Sequence, residues 1–304
     1  MKLPMFGIAI VFLSGLGVAQ ADDLEDAVQN LKDAAAKKDV EAIKKLASAI
    51  RPKTAEILAE AAPQGDDEKK AWQERITYAK GAQSYVDSVF FTVAVQSQPA
   101  VLVDLIATLE QQSPKSKWLN EAYGSYLVAL NKTGAAVKIP EIARKGLANF
   151  PENDDLLLYS METAMTKKQP DAAIGYANRL TAVLNKKAKP ESLAAADWER
   201  KKSATLARSY WVAGVLAAEK QQWIPADKNL RAALPLIQGQ PAMQGPAMFY
   251  LGMANYELGK MTLNKAKVLE AVKFSEQAMA IDSPYSDQAR HNAQVMKNEA
   301  ARMR

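Results

Sequence analysis

The chain has no cysteine, and that absence removes disulfide frameworks, thiolate metal sites, cysteine nucleophiles and a lipidated cysteine anchor together. Histidine is almost as scarce. The single His291 excludes a histidine-rich metal site and leaves little room for histidine acid–base chemistry. No GxxxxGK(S/T), GxSxG or HExxH string occurs, and GxGxxG is missing after residue 21, so no cofactor, metal or catalytic residue is expected. Charge of one sign is also lacking: 39 lysines and arginines stand against 34 acids, a net +5. The basic clusters are pairs such as Lys37-Lys38, Lys44-Lys45, Lys167-Lys168 and Lys201-Lys202, each close to acids, which reads as solvated helix faces and not as a nucleic-acid surface. Past the amino terminus the most apolar run is Val89–Val95, far too short to span a bilayer. It reads as a helix buried on most sides, with a strand as the alternative.

What is abundant is alanine, 54 of 304 residues, against 14 glycines and 14 prolines. Alanine is the best intrinsic helix former and lets helices approach closely, so the excess predicts an all-α protein with tightly packed helices. The amino terminus reads as an export leader. Lys2 supplies the positive start, Met5–Val18 the apolar stretch, and Ala19-Gln20-Ala21 the small-x-small site. Cleavage after Ala21 would leave 283 of the 304 residues. An exported chain without cysteine fits the bacterial periplasm or the medium outside the cell.

Helical periodicity runs from Leu24 to Met303, and alternating strand patterns are almost missing. It predicts helices near residues 23–36, 39–61, 67–96, 99–112, 116–131, 138–149, 154–167, 171–186, 191–220, 223–237, 244–260, 265–281 and 285–302, with Asp154 and Ser286 as N-caps. No Pro-Gly-Ser linker marks a second independent domain.

The helical segments repeat at a fixed spacing. Gly214 to Ala226 is twelve residues and Ala226 to Ala233 seven; Met161 to Ala173 and Ala173 to Leu180 give the same pair of intervals. Downstream, LGMANYELG opens another copy at Leu251, whose second helix carries Ala271, Ser275 and Ala278 and closes at Ser283-Pro284. These segments resemble tetratricopeptide repeats, a family that sets small residues where its paired helices cross and where the next pair packs. Residues 154–187, 207–240 and 245–284 read as repeats. Residues 117–151, with Tyr123-Gly124 and Phe150-Pro151, make a fourth, completing a repeat region over 115–284, and 66–114 is a degenerate fifth. The last repeat carries about seven extra residues between Gly259 and Ala271, which predicts a longer turn or extended helices. Residues 22–65 match no repeat and read as an N-terminal helical hairpin, and the polar stretch 285–304 as a capping helix.

The resemblance implies an α-solenoid of antiparallel helix pairs wound into a right-handed superhelix, with first helices lining a concave groove. The groove positions are Trp118 and Glu121; Leu158, Tyr159 and Glu162; Arg208, Trp211 and Val215; and Phe249, Tyr250, Met253, Tyr256 and Glu257. Aromatics, methionine and a few charges suit recognition of a peptide or partner helix, with Arg208, Glu162 and Glu257 setting register. For any one aromatic a place in the core between helices is an equal expectation. Relatives that clamp a C-terminal carboxylate use lysines and asparagines on this face, where this sequence has Trp211, Val215, Phe249 and Met253, so that activity is not implied. The expected function is a non-catalytic adaptor or scaffold in the bacterial cell envelope, binding a protein or peptide. The alternative is an accessory solute-binding component of a transport system, with Trp211, Phe249, Tyr250 and Tyr256 around a small molecule. The carboxylate pairs Glu162 with Asp155 and Glu257 with Glu270 do not rise above the background of helix-surface acids.

Overall fold

The computed structural model describes residues 18–190 and 193–303, with side chains from Asp23 onward. The leader expected over Met1–Ala21 lies, up to residue 17, outside the described residues. Among the described residues there are thirteen α-helices and no strand, in agreement with the periodicity. None is long and apolar enough to cross a membrane. They fall into two compact units, one ending at Pro151 and the other starting at Glu152.

The first unit contains α1 (Val18–Lys37), α2 (Val40–Ala59), α3 (Asp66–Val95), α4 (Pro99–Gln112), α5 (Lys117–Lys132) and α6 (Ile139–Asn149). Successive helices pack on one another, and α3 also touches α1 and α5. The apolar run falls at the end of α3, where Val86, Val89, Phe90, Phe91, Val93 and Ala94 are buried. Arg51 of α2 ties three helices together: its guanidinium donates to Asp87 of α3 at 2.7 Å, and to Gln112 and Ser113 at the end of α4 at 2.8 and 2.7 Å.

The second unit contains α7 (Asp154–Thr166), α8 (Pro170–Lys186), α9 (Ala195–Glu219), α10 (Trp223–Ala233), α11 (Pro241–Met261), α12 (Lys265–Met279) and α13 (Ser286–Arg302). Again each helix packs on the next, and α11 also meets α9 and α13. In α13 one stripe, Ala289, Ala293, Met296 and Ala300, is buried, while His291 is exposed.

Five of the helix pairs are closed by the same turn. In α1–α2, α7–α8, α9–α10 and α11–α12 the residues Lys38, Lys168, Gln221 and Leu263 take φ of 53°, 54°, 58° and 51°. The next residue's N–H (Asp39, Gln169, Gln222, Asn264) then donates to the carbonyl five back (Ala34, Ala164, Ala217, Gly259) at 3.0, 2.9, 2.8 and 2.8 Å. This bond satisfies a carbonyl that the helix end leaves open. The pair α5–α6 does the same with Gly134 (φ 73°) and Ala135 bonded to Leu130 at 2.8 Å. Counted from the left-handed residue, the second helix buries its fifth, ninth and twelfth positions every time. They are Ile43, Ala47 and Ile50 in α2; Ile139, Ala143 and Gly146 in α6; Ala173, Ala177 and Leu180 in α8; Ala226, Leu230 and Ala233 in α10; and Val268, Val272 and Ser275 in α12.

That register corrects two expectations. The turn of α11–α12 is no longer than the others: Thr262–Asn264 joins the helices as Lys220–Gln222 joins α9 to α10. The apparent seven extra residues arise from starting the count at Gly252, whereas Gly259 stands where Ala217 stands in α9 and packs on Val268. The caps also move by one residue. Asn153, whose side chain accepts from Leu156 N–H, caps α7, and Asp154 is its first helical residue; likewise Tyr285 precedes Ser286 at α13.

Candidate functional site

One face of each first helix in the second unit is defined by residues three and four apart. Thirteen, ten and six positions before the left-handed residue stand Asp155, Leu158 and Glu162 in α7, Arg208, Trp211 and Val215 in α9, and Tyr250, Met253 and Glu257 in α11. These stripes include eight of the expected groove residues, and neighbouring helices join them.

Arg208 reaches from α9 to α7 and grips Glu162 with two bonds, Nε to Oε1 at 2.8 Å and Nη2 to Oε2 at 3.0 Å. The hydrogen bond it donates to Glu162 holds the Arg208 guanidinium above its ordinary value despite partial burial. The same guanidinium lies over the Trp211 ring, 5.3 Å from its centroid, and Trp211 Nε1 donates to the Met243 carbonyl of α11 at 2.9 Å. Trp211 is half-buried between the core around Met161 and Val212 and the core around Leu230 and Leu251. A planar, charged, permanently protonated group is thus fixed on a planar ring.

Towards α13 the strip becomes aromatic. Phe249, Tyr250 and Tyr285 stack on one another with centroids 5.1, 4.7 and 5.6 Å apart, and the Tyr250 hydroxyl donates to Glu219 Oε1 at 3.3 Å. Burial first, then hydrogen bonding with Tyr285 and the charge of Glu219, push the Tyr250 phenol up, so it stays neutral and is not a nucleophile at ordinary pH. Asn292 of α13 donates to Met253 Sδ at 3.2 Å. Lys260 sits 4.9 Å from the Tyr256 ring centroid and 3.7 Å from Glu257.

Not every expected residue reaches this surface. Val215 and Phe249 are 7% and 6% exposed and belong to the core, because α11 covers the first and Tyr250 and Tyr285 cover the second. A partner cannot touch them without opening the fold. Trp118 lies in the first unit, where its ring packs 5.6 Å from Phe91 and its indole N–H is buried without a hydrogen-bond partner among the described residues. Glu121 of the same helix is exposed, and Leu158 and Tyr159 are half-buried on α7. Tyr285, Asn292 and the Met243 carbonyl escaped the sequence reading. An aromatic within the polar stretch 282–288 was a signal for the first, and no pattern marks a carbonyl.

The carboxylates weighed as acid–base pairs each face a cation. Glu162 meets Arg208, Asp155 meets Lys201 at 2.9 Å, Glu257 meets Lys260, and Glu270 meets Arg231 at 2.8 Å. The hydrogen bond from Arg231 holds Glu270 below the usual carboxylate range. No metal-ligating group of three or more acids or histidines occurs among the described residues. Among the surface cavities, one of about 390 Å³ in the first unit is lined by Glu110, Arg144, Lys145 and Asn149. Another, of about 280 Å³, lies between the α7–α8 turn and Leu216 and Glu219. Neither is lined by Trp211, Phe249, Tyr250 or Tyr256. The surface offers apolar and aromatic contact around an ion pair held by two hydrogen bonds. Compared with known proteins, the sequence matches no protein-family model and no curated protein.

Proposed function

We propose that the chain is an exported tetratricopeptide-type repeat protein whose second unit holds a peptide or partner helix on the face shared by α7, α9 and α11. It would serve as a non-catalytic adaptor or scaffold in the cell envelope. One observation carries the reading: half-buried Leu158, Glu162, Arg208, Trp211, Tyr250, Met253 and Glu257 fall at matching positions of three helix pairs with a common turn. A solenoid with a continuous concave groove is the arrangement that such pairs build when stacked. The leader-like Met1–Ala21 and the lack of cysteine support the compartment.

Glu162 and Arg208 pair with each other, so within this reading they present a fixed dipole to the partner and not two separate charges. The test exchanges them. In Glu162→Arg/Arg208→Glu the bridge and the fold are kept while the polarity is reversed. Tagged protein starting at Asp22 is expected to retain a partner from its own envelope extract, and the exchange variant to lose it by about tenfold, a partly desolvated charge contact being worth about 1.4 kcal/mol or more. Full retention by a folded exchange variant would move the binding surface elsewhere.

A further inference from the structure

The turn ends of the second unit carry a feature that its partner-binding face does not use. Helices α7 to α12 pack each on the next, and the pairs α7–α8, α9–α10 and α11–α12 are each closed by a three-residue turn. Lys220 beside the second turn is paired with Asp171 beside the first, which places these two side by side.

Because the turns are alike, they can be compared position by position. Two before the left-handed residue, at it, and three after it, the α7–α8 turn exposes Thr166, Lys168 and Asp171, an ordinary polar tip. The α9–α10 turn exposes Glu219, Gln221 and Ile224, the last 72% exposed. The α11–α12 turn exposes Met261, Leu263 and Ala266, with Met261 at 74% and Leu263 at 84%. Among the described residues four non-glycine residues hold the left-handed conformation, and of these Leu263 alone has an apolar side chain. That conformation favours glycine or asparagine, and a leucine there gains nothing in folding from a side chain left in water. Three large apolar groups therefore crown two successive turns without serving the core.

Their surroundings are cationic. Residues 259–267 contain Lys260, Lys265 and Lys267 and no acid. The neighbouring turns add Lys220, Lys228, Lys167 and Lys168. Their three carboxylates are already engaged: Asp171 by Lys220, Asp227 by Arg231 and Asn255, and Glu219 by the Tyr250 hydroxyl. Lys167, Lys168, Lys228 and Lys267 make no ion pair among the described residues.

We propose that this end of the second unit docks on an anionic phospholipid surface, with Met261, Leu263 and Ile224 entering the headgroup–acyl boundary and the lysines meeting lipid phosphates. Exposed apolar tips ringed by lysines are what such an interface selects: the apolar groups partition, and the long cationic stems reach phosphate while lying along apolar surface. A protein partner would have to match this fixed arrangement of apolar tips and lysines, whereas a bilayer supplies diffuse negative charge at any register. The docking would hold the chain at a membrane that none of its described helices can cross.

The test is co-flotation of the chain from Asp22 with vesicles of phosphatidylcholine alone, and with about 30% phosphatidylglycerol added. Binding is expected only to the anionic vesicles and should fall as salt rises. Met261→Ser/Leu263→Ser and, separately, Lys228→Glu/Lys267→Glu should each weaken partitioning about tenfold with unchanged circular dichroism and melting temperature. Lack of binding to anionic vesicles, equal binding to both kinds, or undiminished binding by the serine variant would each overturn the proposal. So would a protein captured through Met261 and Leu263 by a chain that ignores vesicles. The Glu162→Arg/Arg208→Glu exchange should leave vesicle binding intact, so the two surfaces fail or stand separately.

Discussion

A methyl group added at Gly214 would stand 2.6 Å from Leu230 Cγ and 3.0 Å from the Leu230 backbone nitrogen. Gly214→Ala is therefore expected to force α9 and α10 apart and lower stability by about 1–3 kcal/mol in urea unfolding. Gly175, on the exposed side of α8, meets nothing within 4 Å, and Gly175→Ala should instead raise stability by about 0.5–1 kcal/mol through the lost backbone freedom of the unfolded chain. Sequence spacing located Gly214 but could not distinguish a small residue required by a neighbour from one that is merely small. Asp154 carries the pH dependence at this scale. It is 4% exposed, with Lys187 Nζ at 2.6 Å and Lys201 Nζ at 3.5 Å. Burial pushes its carboxyl up, but the hydrogen bond from Lys187 and the charges of Lys201 and Lys187 outweigh it, leaving the carboxyl below its ordinary 3.8. A depressed folded value means that stabilisation is present above about pH 4 and is lost as pH falls through the folded value. Asp154→Asn should cost about 1–2 kcal/mol at pH 7 and flatten the acid side of the stability–pH curve. An unchanged curve would show that the two lysines do not stabilise the folded carboxylate.

The element that organises the molecule is the helix pair with its left-handed turn residue. Helix existence and approximate ends were legible because alanine-rich periodicity persists between prolines and glycines, and all thirteen helices fall where that pattern puts them. The shared turn was not legible. Its usual signature is glycine after the helix, and here Lys38, Lys168, Gln221 and Leu263 hold the conformation in glycine's place. With that marker missing, the α11–α12 register had to be taken from Gly252, one heptad before Gly259. The substitution Gln221→Gly should relieve the strain and raise stability by about 1 kcal/mol, measured as a shift of the urea midpoint at constant slope. A decrease would mean that the Gln221 side chain contributes more than its backbone conformation costs.

At the scale of the whole molecule, the two units differ in what can be said of function. The second has clusters around Met161, Leu251, Ala254, Phe249 and Met296 built wholly from its own residues. Residues 152–304 expressed alone should therefore fold and melt in one cooperative transition, and a fragment without near-ultraviolet circular dichroism or a sharp transition would contradict this. The candidate face was partly legible. Spacing identifies which residues share one side of a helix, and so it found Glu162, Arg208, Trp211 and Tyr250. It does not say what covers that side, and so it also selected Val215 and Phe249, which α11 and Tyr285 bury. Nor does spacing join residues 46 apart, as Glu162 and Arg208 are joined.

Within each unit a helix finds its main contacts on the helices just before and just after it. Such a chain has little loop-closure entropy to overcome before native contacts form, so acquisition of structure should be quick, about milliseconds, and sequential from whichever end is free first. With no thiol to oxidise, the chain can assemble hairpin by hairpin, and each finished pair offers the template on which the next one settles.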